Sequence, residues 1–208
     1  MYAKFFKRFF DIVLSFFALL ALSPILLLLI IIGAFAMKGN PFFTQERPGK
    51  DEKIFRLIKF RTMTCEKDAN GQLLPDDKRL TAYGKFLRKT SLDELPELIN
   101  IFLGHMSIVG PRPLLVQYLP LYNQRQRHRH DVRPGLTGLA QAKGRNGISF
   151  EERFELDLEY IKNLSLKLDI YIILLTVKSV LKREGISSQT SETMEFFTGT
   201  PEDEVTKV

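Results

Sequence analysis

Cysteine and histidine are scarce in this 208-residue sequence, which has one cysteine, Cys65, and three histidines. A single cysteine excludes an intramolecular disulfide, as is usual for chains that work in the cytoplasm. The histidines have no metal-ligand spacing with the cysteine or with paired carboxylates, so we interpret them as structural or surface residues. The G-x-G-x-x-G and Walker A patterns are also absent, which argues against a Rossmann or P-loop nucleotide site.

Charge is absent from 26 consecutive residues, 12 to 37. At about 1.5 Å per residue, a helix of this length exceeds the ~30 Å hydrocarbon core of a membrane. The run is too long for the apolar part of a cleaved signal peptide and lacks a small-x-small cleavage site, so we expect it to be retained. Pro24 has no backbone donor and predicts a kink or break, while Ser23 is able to hydrogen-bond a freed carbonyl.

Both ends of the apolar run are cationic. Because cationic flanks prefer the cytoplasmic side, a segment that enters, bends at Ser23 and Pro24, and leaves by the same face satisfies both ends. We therefore predict a re-entrant membrane helix over residues 1–38, with an ordinary single-span anchor as the alternative. The cations are Lys4, Lys7 and Arg8 before the run and Lys38, Arg47, Lys50, Lys53 and Arg56 after it.

The rest of the chain is predicted to form one cytoplasmic catalytic domain, residues 39–186, and a polar, loosely ordered tail, residues 187–208. Alternating apolar and basic residues over 42–61 predict a strand or strand pair. The fold class is therefore α/β, mostly helical with a small sheet or β-hairpin and with surface amphipathic helices. The predicted helices span 80–89, 93–102, 114–128, 151–163 and 166–183.

The last predicted helix carries an apolar stripe that includes Ile170, Leu174 and Val177, beside several lysines. We interpret the stripe as core-facing, with the other face solvated. A helix lying at a membrane surface is the alternative.

The formal net charge of +6 suits a protein that lies on anionic lipid and handles phosphates. Nucleic acid is the usual alternative partner, and the basic run at 125–130 is its best support. No zinc-finger spacing or aromatic RNA-binding signature accompanies that run. We therefore predict no nucleic-acid partner and interpret the run as a solvated or lipid-facing surface.

Charged residues concentrate at a predicted helix start, where Arg88 precedes the adjacent carboxylates Asp93 and Glu94. Either Ser91 is the N-cap and Glu94 completes a capping box, or Asp93 is the N-cap and Pro96 falls in the first turn. In both cases the carboxylates stand at the positive end of a helix near cations. Such a setting keeps carboxylates ionised and receives phosphate.

Four segments follow one another along the chain: KFRTM at 59–63, TSLDELPELIN at 90–100, MSIVGPRP at 106–113 and RPGLTG at 133–138. Together they resemble the bacterial sugar transferases, the monotopic phosphoglycosyl transferases. In size the chain is similar to the small members, and closest to the enzyme that initiates bacterial N-linked protein glycosylation.

The resemblance implies transfer of a sugar 1-phosphate from a UDP-sugar to undecaprenyl phosphate, with Mg²⁺ and with release of UMP. It also implies a re-entrant membrane helix in the bacterial inner membrane, with the catalytic domain on the cytoplasmic face. The reaction would be the first membrane step of glycoconjugate assembly, and other glycosyltransferases of the pathway are possible partners.

The reacting groups are predicted within these segments. Asp93 is the nucleophile, which forms an aspartyl-phosphosugar intermediate and expels UMP. Glu94 is the Mg²⁺ ligand, with a general base as the alternative role. Arg112 lies between two prolines, which constrain the backbone and aim a planar guanidinium suited to bidentate phosphate binding.

Other cations near the motifs are candidate substrate contacts, with surface solvation as the alternative for the phosphate candidates. Asp157 and Asp169 match acidic positions of the family and are interpreted as supporting the metal or the loops. The phosphate candidates are Lys59, Arg61 and Arg88, and the uridine diphosphate candidates are Arg133 and Arg145.

The donor is predicted to carry an N-acetylated or diacetamido sugar, such as UDP-diacetylbacillosamine, with galactose or N-acetylglucosamine as alternatives. Two other protein classes suit the anchor and the charge. A membrane-anchored phosphodiesterase or pyrophosphatase would pass the phosphoryl group to water. A non-enzymatic, basic membrane-surface binding protein would not depend on Asp93.

Overall fold

Helix predominates in the computed structural model, which describes residues 2–144, 147–182 and 196–200. The two small sheets confirm the predicted fold class. The helices are α1 (Lys7–Ala36), α2 (Asp76–Arg79), α3 (Ala82–Thr90), α4 (Glu97–Leu103), α5 (Gln124–Arg127), α6 (Leu139–Lys143), α7 (Phe150–Lys162) and α8 (Leu166–Lys182). The strands are β1 (Phe42–Pro48), β2 (Ile54–Phe60), β3 (Ser107–Val109) and β4 (Gly135–Thr137).

Helix α1 contains Pro24 and continues through it. Ser23 Oγ donates a hydrogen bond to Leu20 O at 2.8 Å. Leu20 O is the carbonyl four residues before Pro24, and it loses its backbone donor because proline has no N–H. The predicted role of Ser23 is confirmed, but the helix is not broken there. By length and composition alone, α1 is sufficient to cross a membrane.

One face of α1 contacts the rest of the chain from its start to its end. Arg8 Nη1 donates to Ile101 O at 2.6 Å near the start, and Tyr83 Oη donates to Leu29 O at 2.8 Å near the end. These contacts are separated by about 30 Å of helix at ~1.5 Å per residue. The opposite face is apolar and at least half exposed at Phe9, Phe17, Leu20, Leu27, Leu28 and Phe35.

Strands β1 and β2 pair as an antiparallel hairpin, as the alternation predicts, while β3 and β4 pair in parallel. Helix α4 is fastened to β2 by Asn100, whose Oδ1 accepts from Ile58 N at 3.0 Å and whose Nδ2 donates to Arg56 O at 2.8 Å. Asn100 is buried, so water does not compete for these bonds. They hold Lys59 of β2 beside Glu97, one turn earlier on α4.

The main core lies between the hairpin, α4 and α1. Leu57 and Leu98 of this core lie within two positions of Lys59 and Glu97, two of the charged residues described below. Its buried members are Phe55, Leu57, Leu98, Ile101 and Met106, with Ala18, Leu19 and Leu22 of α1 packed against them.

The predicted helix over 114–128 is wrong. Those residues form a 3₁₀ turn, Val116–Leu121, and then the short helix α5. Pro120 cannot donate to the preceding turn, and Asn123 begins a new helix as an N-cap that accepts from Gln126 N.

The apolar stripe of α8 points outward, which contradicts its core-facing interpretation. Ile170, Leu174 and Val177 are exposed, whereas Ile172 is fully buried. The face with Ile172 packs on α6 and on the β3–β4 sheet, so the stripe remains open. This arrangement fits the alternative of an amphipathic surface helix.

Part of the predicted polar tail is packed. Phe197 is buried among Tyr118, Tyr122 and Phe154, with ring centroids 5.2–5.9 Å apart. The expectation of loose order is therefore wrong for residues 196–200, because an aromatic ring supplies apolar area that polar neighbours do not. The rest of the tail lies outside the described residues.

Candidate active site

Asp93 and Glu94 lie on a 3₁₀ turn, Leu92–Glu94, between α3 and α4. Ser91 has a left-handed φ of 56° and ends α3. Both predicted N-caps are wrong: Ser91 makes no side-chain cap, Asp93 lies inside the turn, and α4 begins after Pro96. Proline has no N–H to donate to the preceding turn, so the regular helix starts beyond it.

Glu94 is held between two cations. Its Oε1 accepts from Lys59 Nζ at 2.7 Å and from Arg112 Nη2 at 2.8 Å. Burial opposes ionisation, but these cations lower the pKa of Glu94 to about 2. Glu94 therefore stays a carboxylate throughout the neutral range, and the structure brings two predicted phosphate contacts onto it.

Lys59 is shared with a second carboxylate, Glu97, whose Oε1 lies 3.0 Å from Lys59 Nζ. Glu97 is buried, and this burial together with the charge of Glu94 raises its pKa to about 7. Burial opposes the positive charge of Lys59, yet Glu94 and Glu97 raise the lysine pKa above its ordinary value. Lys59 is thus a permanent cation between two carboxylates.

Asp93 differs from both glutamates. Within the part of the chain that the structure describes, its carboxylate has no hydrogen bond or ion pair with another side chain. Burial and the adjacent Glu94 raise its pKa to about 6, although Lys59 and Arg112 oppose the rise. Near neutral pH it is therefore mostly an ionised carboxylate, close enough to Lys59 and Arg112 for both cations to lower its pKa.

Arg112 is positioned from behind by a buried ion pair. Arg129 Nη2 donates to Arg112 O at 2.8 Å and to Asp157 Oδ2 at 2.7 Å. The Arg129 and Asp157 side chains are only 1% and 2% exposed. Asp157, a predicted substrate contact, is therefore a partner of Arg129 that supports the backbone of Arg112.

The basic run at 125–130 is not one uniform surface. The solvated interpretation agrees with the exposed Arg125 and His128, but it is wrong for Arg129 and His130, which are buried. The short turn after α5 directs these last two side chains inward against Tyr122.

Three other predicted contacts have different partners. Within the described ranges, none of them makes a hydrogen bond or ion pair with Asp93 or Glu94. Arg88 Nε donates to Thr62 Oγ1 at 3.1 Å, Arg61 Nη1 to Cys65 Sγ at 3.4 Å, and Arg133 Nε to Gly104 O at 2.8 Å. Arg145 lies outside the described residues.

Sequence reasoning missed Glu97 and Arg129. Glu97 follows Glu94 by three residues inside a helical motif, and this spacing was an available signal for a shared face. Arg129 had no such signal, because its partner Asp157 is 28 positions away and the neighbouring cations are exposed.

The carboxylates of the candidate site are the donors that Mg²⁺ would use. Among the described residues no cluster of three or more His, Cys, Asp or Glu side chains is arranged for a metal. Mg²⁺ commonly takes one or two carboxylates and completes its shell with water and substrate phosphates. Asp93 and Glu94 fit that smaller donor set.

Comparison with known proteins assigns the chain to a family. A sequence model described as bacterial sugar transferase matches residues 2–183. The chain is 51% identical over 193 residues to the uncharacterized sugar transferase EpsL of Bacillus subtilis, which covers 93% of this chain and 96% of EpsL. It is 39% identical over 196 residues to the exopolysaccharide production protein ExoY of Sinorhizobium fredii, covering 86% of this chain and 87% of ExoY.

A third relative is named for its reaction. The UDP-glucose:undecaprenyl-phosphate glucose-1-phosphate transferase of Klebsiella pneumoniae is 44% identical over 182 residues, which is 83% of this chain and 39% of that protein. The family model matches most of the chain, including the charged cluster around Glu94. The chain belongs to the bacterial sugar transferase family and is a phosphoglycosyl transferase.

Proposed function

We propose that the chain transfers a sugar 1-phosphate from a UDP-sugar to undecaprenyl phosphate, in two steps through Asp93. The observation that carries this proposal is the contrast between an unpaired Asp93 carboxylate and Glu94 beside it, whose Oε1 is held by two cations. A nucleophile needs a free, ionised oxygen. A group that binds or orients phosphate needs a stable arrangement of charge.

In the first step an Asp93 carboxylate oxygen attacks the β-phosphorus of the donor. The bond between that phosphorus and the bridging oxygen breaks, its electron pair stays on the oxygen, and UMP leaves. In the second step a phosphate oxygen of undecaprenyl phosphate attacks the same phosphorus. The Asp93 oxygen–phosphorus bond then breaks and the carboxylate is regenerated, which gives undecaprenyl-diphosphate-sugar.

The cations beside Asp93 stabilise charge on the transferring group. Arg112 offers a planar fork, and 41% of its side chain is exposed, so it is accessible to a phosphate while it contacts Glu94. Bound Mg²⁺ would neutralise diphosphate charge, with Glu94 as its protein ligand. The pKa of Glu94 near 2 makes it a poor general base, which favours the ligand role over that alternative.

The membrane arrangement is part of the proposal. A straight span would carry one end of α1 to the opposite side of a ~30 Å core. Because Arg8 and the Leu29 carbonyl both contact the catalytic domain, we propose that both ends of α1 face the cytoplasm, with a bend at Ser23 and Pro24 within the continuous helix. The exposed apolar stripe of α8 would lie at the same surface, where undecaprenyl phosphate is presented.

The donor sugar is the least constrained part of the proposal. We keep the prediction of an N-acetylated UDP-sugar such as UDP-diacetylbacillosamine. Two relatives are named for other donors: the Klebsiella pneumoniae protein for UDP-glucose, and a UDP-galactose-lipid carrier transferase of Erwinia amylovora, 39% identical over 201 residues. Both hexoses therefore belong in a test of the donor.

The test is UMP release from a panel of UDP-sugars, with undecaprenyl phosphate and Mg²⁺, by solubilised wild-type protein and Asp93→Asn. We expect UMP and a lipid-linked sugar diphosphate from one donor, and neither product from the variant. Intact-protein mass spectrometry without acceptor should detect a sugar phosphate on the wild type only. Sugar 1-phosphate in solution without lipid product would indicate the phosphodiesterase alternative. Wild-type activity in Asp93→Asn would remove Asp93 as nucleophile.

A further inference from the structure

Arg47 is a cation near the candidate site that has no function in the mechanism above. It lies on β1, where Arg47 Nη1 is 3.4 Å from Pro113 O and Nη2 donates to Gln45 Oε1 at 2.7 Å. Its guanidinium therefore sits beside the turn that carries Arg112. Only one of these two contacts has an ordinary hydrogen-bond length.

The charge of Arg47 is not balanced by a close anion. No carboxylate of the described residues lies within ion-pair distance of it, and its Nε is buried without a hydrogen-bond partner. By contrast, Lys59 and Arg129 each contact a carboxylate directly. Burial and the like charge of Arg112 lower the pKa of Arg47 to about 10, so the group is still a cation at neutral pH.

A partly buried guanidinium whose Nε has no hydrogen-bond partner is costly in an isolated protein. Its Nε and terminal nitrogens form a fork that matches two oxygens of a phosphate, and binding an anion would supply both the missing charge and the missing acceptors. An anion bound to Arg47 would therefore stabilise the folded protein.

We infer that Arg47 binds the α-phosphate of the donor, the phosphate that leaves in UMP. This assignment rests on the proposed function, in which Asp93 attacks the β-phosphorus. Arg112 contacts Glu94, the neighbour of Asp93, whereas Arg47 contacts the carbonyl of Pro113. Because the Arg47 guanidinium contacts the residue that follows Arg112, we place it at the phosphate next to the one that Asp93 attacks.

Direct binding of UMP to the full-length protein in lipid nanodiscs, by calorimetry, tests this inference without turnover. Arg47→Gln should weaken UMP binding about tenfold or more, which corresponds to roughly 1.4 kcal/mol. Arg47→Lys, which keeps the charge and loses the fork, should give an intermediate loss. The matched control is Arg56→Gln on the same hairpin, an exposed position with the same change of charge, and should alter the affinity less than about twofold.

Unchanged UMP affinity in Arg47→Gln together with a lower kcat would overturn the inference and make Arg47 a support of the Arg112 turn. A thermal unfolding curve like that of the wild type must accompany any loss of binding, and Arg47→Lys provides the second variant if Arg47→Gln unfolds. The outcomes also separate the two proposals. Loss of UMP binding in a protein that transfers no sugar phosphate retains the anion site and rejects the transferase. Sugar-phosphate transfer together with UMP binding that does not depend on Arg47 retains the transferase and rejects the anion site.

Discussion

Two buried charge clusters of this protein differ in how well their charges match. In the first, Arg129 and Asp157 pair one to one, and their side chains are 1% and 2% exposed. In the second, Glu94 and Glu97 contact Lys59, Glu94 also contacts Arg112, which is 41% exposed, and Asp93 lies beside them without an ion pair among the described residues. The first cluster is complete as folded, whereas the second has a surplus carboxylate and an open cation.

This contrast distinguishes charged residues that support the fold from charged residues that are able to react with a ligand. When one partner of a buried, matched ion pair is removed, the free energy of unfolding falls by several kcal/mol, and a ligand adds no stabilisation to such a pair. In the mismatched cluster, burial and then the like charge of Glu94 keep the pKa values of Asp93 and Glu97 high, and Arg112 leaves cation surface for phosphate. The backbone bond from Arg129 to Arg112 connects the two clusters.

The largest expected effect comes from breaking the matched pair. Asp157→Asn leaves the buried Arg129 without a carboxylate and should lower the free energy of unfolding by about 3–5 kcal/mol. Denaturant unfolding followed by circular dichroism measures the change. The control is Glu155→Gln, which removes an exposed carboxylate paired with Arg125 and should cost less than about 1 kcal/mol. Equal losses in both variants would mean that the two pairs do not differ.

Changing the open cation should affect activity far more than stability. Arg112→Lys keeps the charge but removes the planar fork, so kcat/KM for the UDP-sugar should fall about 100-fold. Its free energy of unfolding should stay within about 1 kcal/mol of the wild type, because the side chain is partly exposed. Steady-state UMP release measures the first quantity. Arg127→Lys, a change at an exposed pair with Glu52, should leave kcat/KM unaltered.

Removing the surplus carboxylate should stabilise the protein. The pKa of Asp93 is about 6 in the folded protein and near 3.8 otherwise, so the folded state binds more protons between these values and loses stability as pH rises through them. Above that range Asp93→Asn should raise the free energy of unfolding by about 1 kcal/mol after discounting for solvent screening, while UMP release is lost. Below about pH 4 the gain should vanish. If Asp93→Asn were less stable than the wild type at high pH, the idea that Asp93 is a surplus, destabilising carboxylate would be wrong.

The smallest effect concerns His130, which neighbours the matched pair. Burial and the positive Arg129 lower its pKa to about 4, so the unfolded chain binds more protons below the ordinary histidine pKa and stability declines as pH falls toward 4. As pH falls from about 6.5 to about 5.5, His130→Phe should reduce this acid-induced decline by about 0.5–1 kcal/mol. The slope of unfolding free energy against pH is the measurement, and an identical slope in both proteins would exclude His130 as a source.

Several features could be predicted from the sequence because they depend on near neighbours. The hairpin over β1 and β2 follows from alternation, and the hydroxyl of Ser23 reaches the carbonyl freed by Pro24 within one helical turn. The adjacency of Asp93 and Glu94 needs no fold at all. Local predictions failed at 114–128, where Pro120 and Asn123 compete with the helical pattern.

Residue patterns alone establish a long uncharged segment, a mostly helical domain, and a set of segments that identify the family. Which charges meet depends on the fold. Glu94 joins Lys59 and Arg112 across 35 and 18 positions, and Arg129 finds Asp157 across 28. Periodicity describes residues a few positions apart. Pairing over such separations depends on packing, here on Asn100 fastening α4 to β2, and burial then decides whether a charge becomes a support or a reactive group.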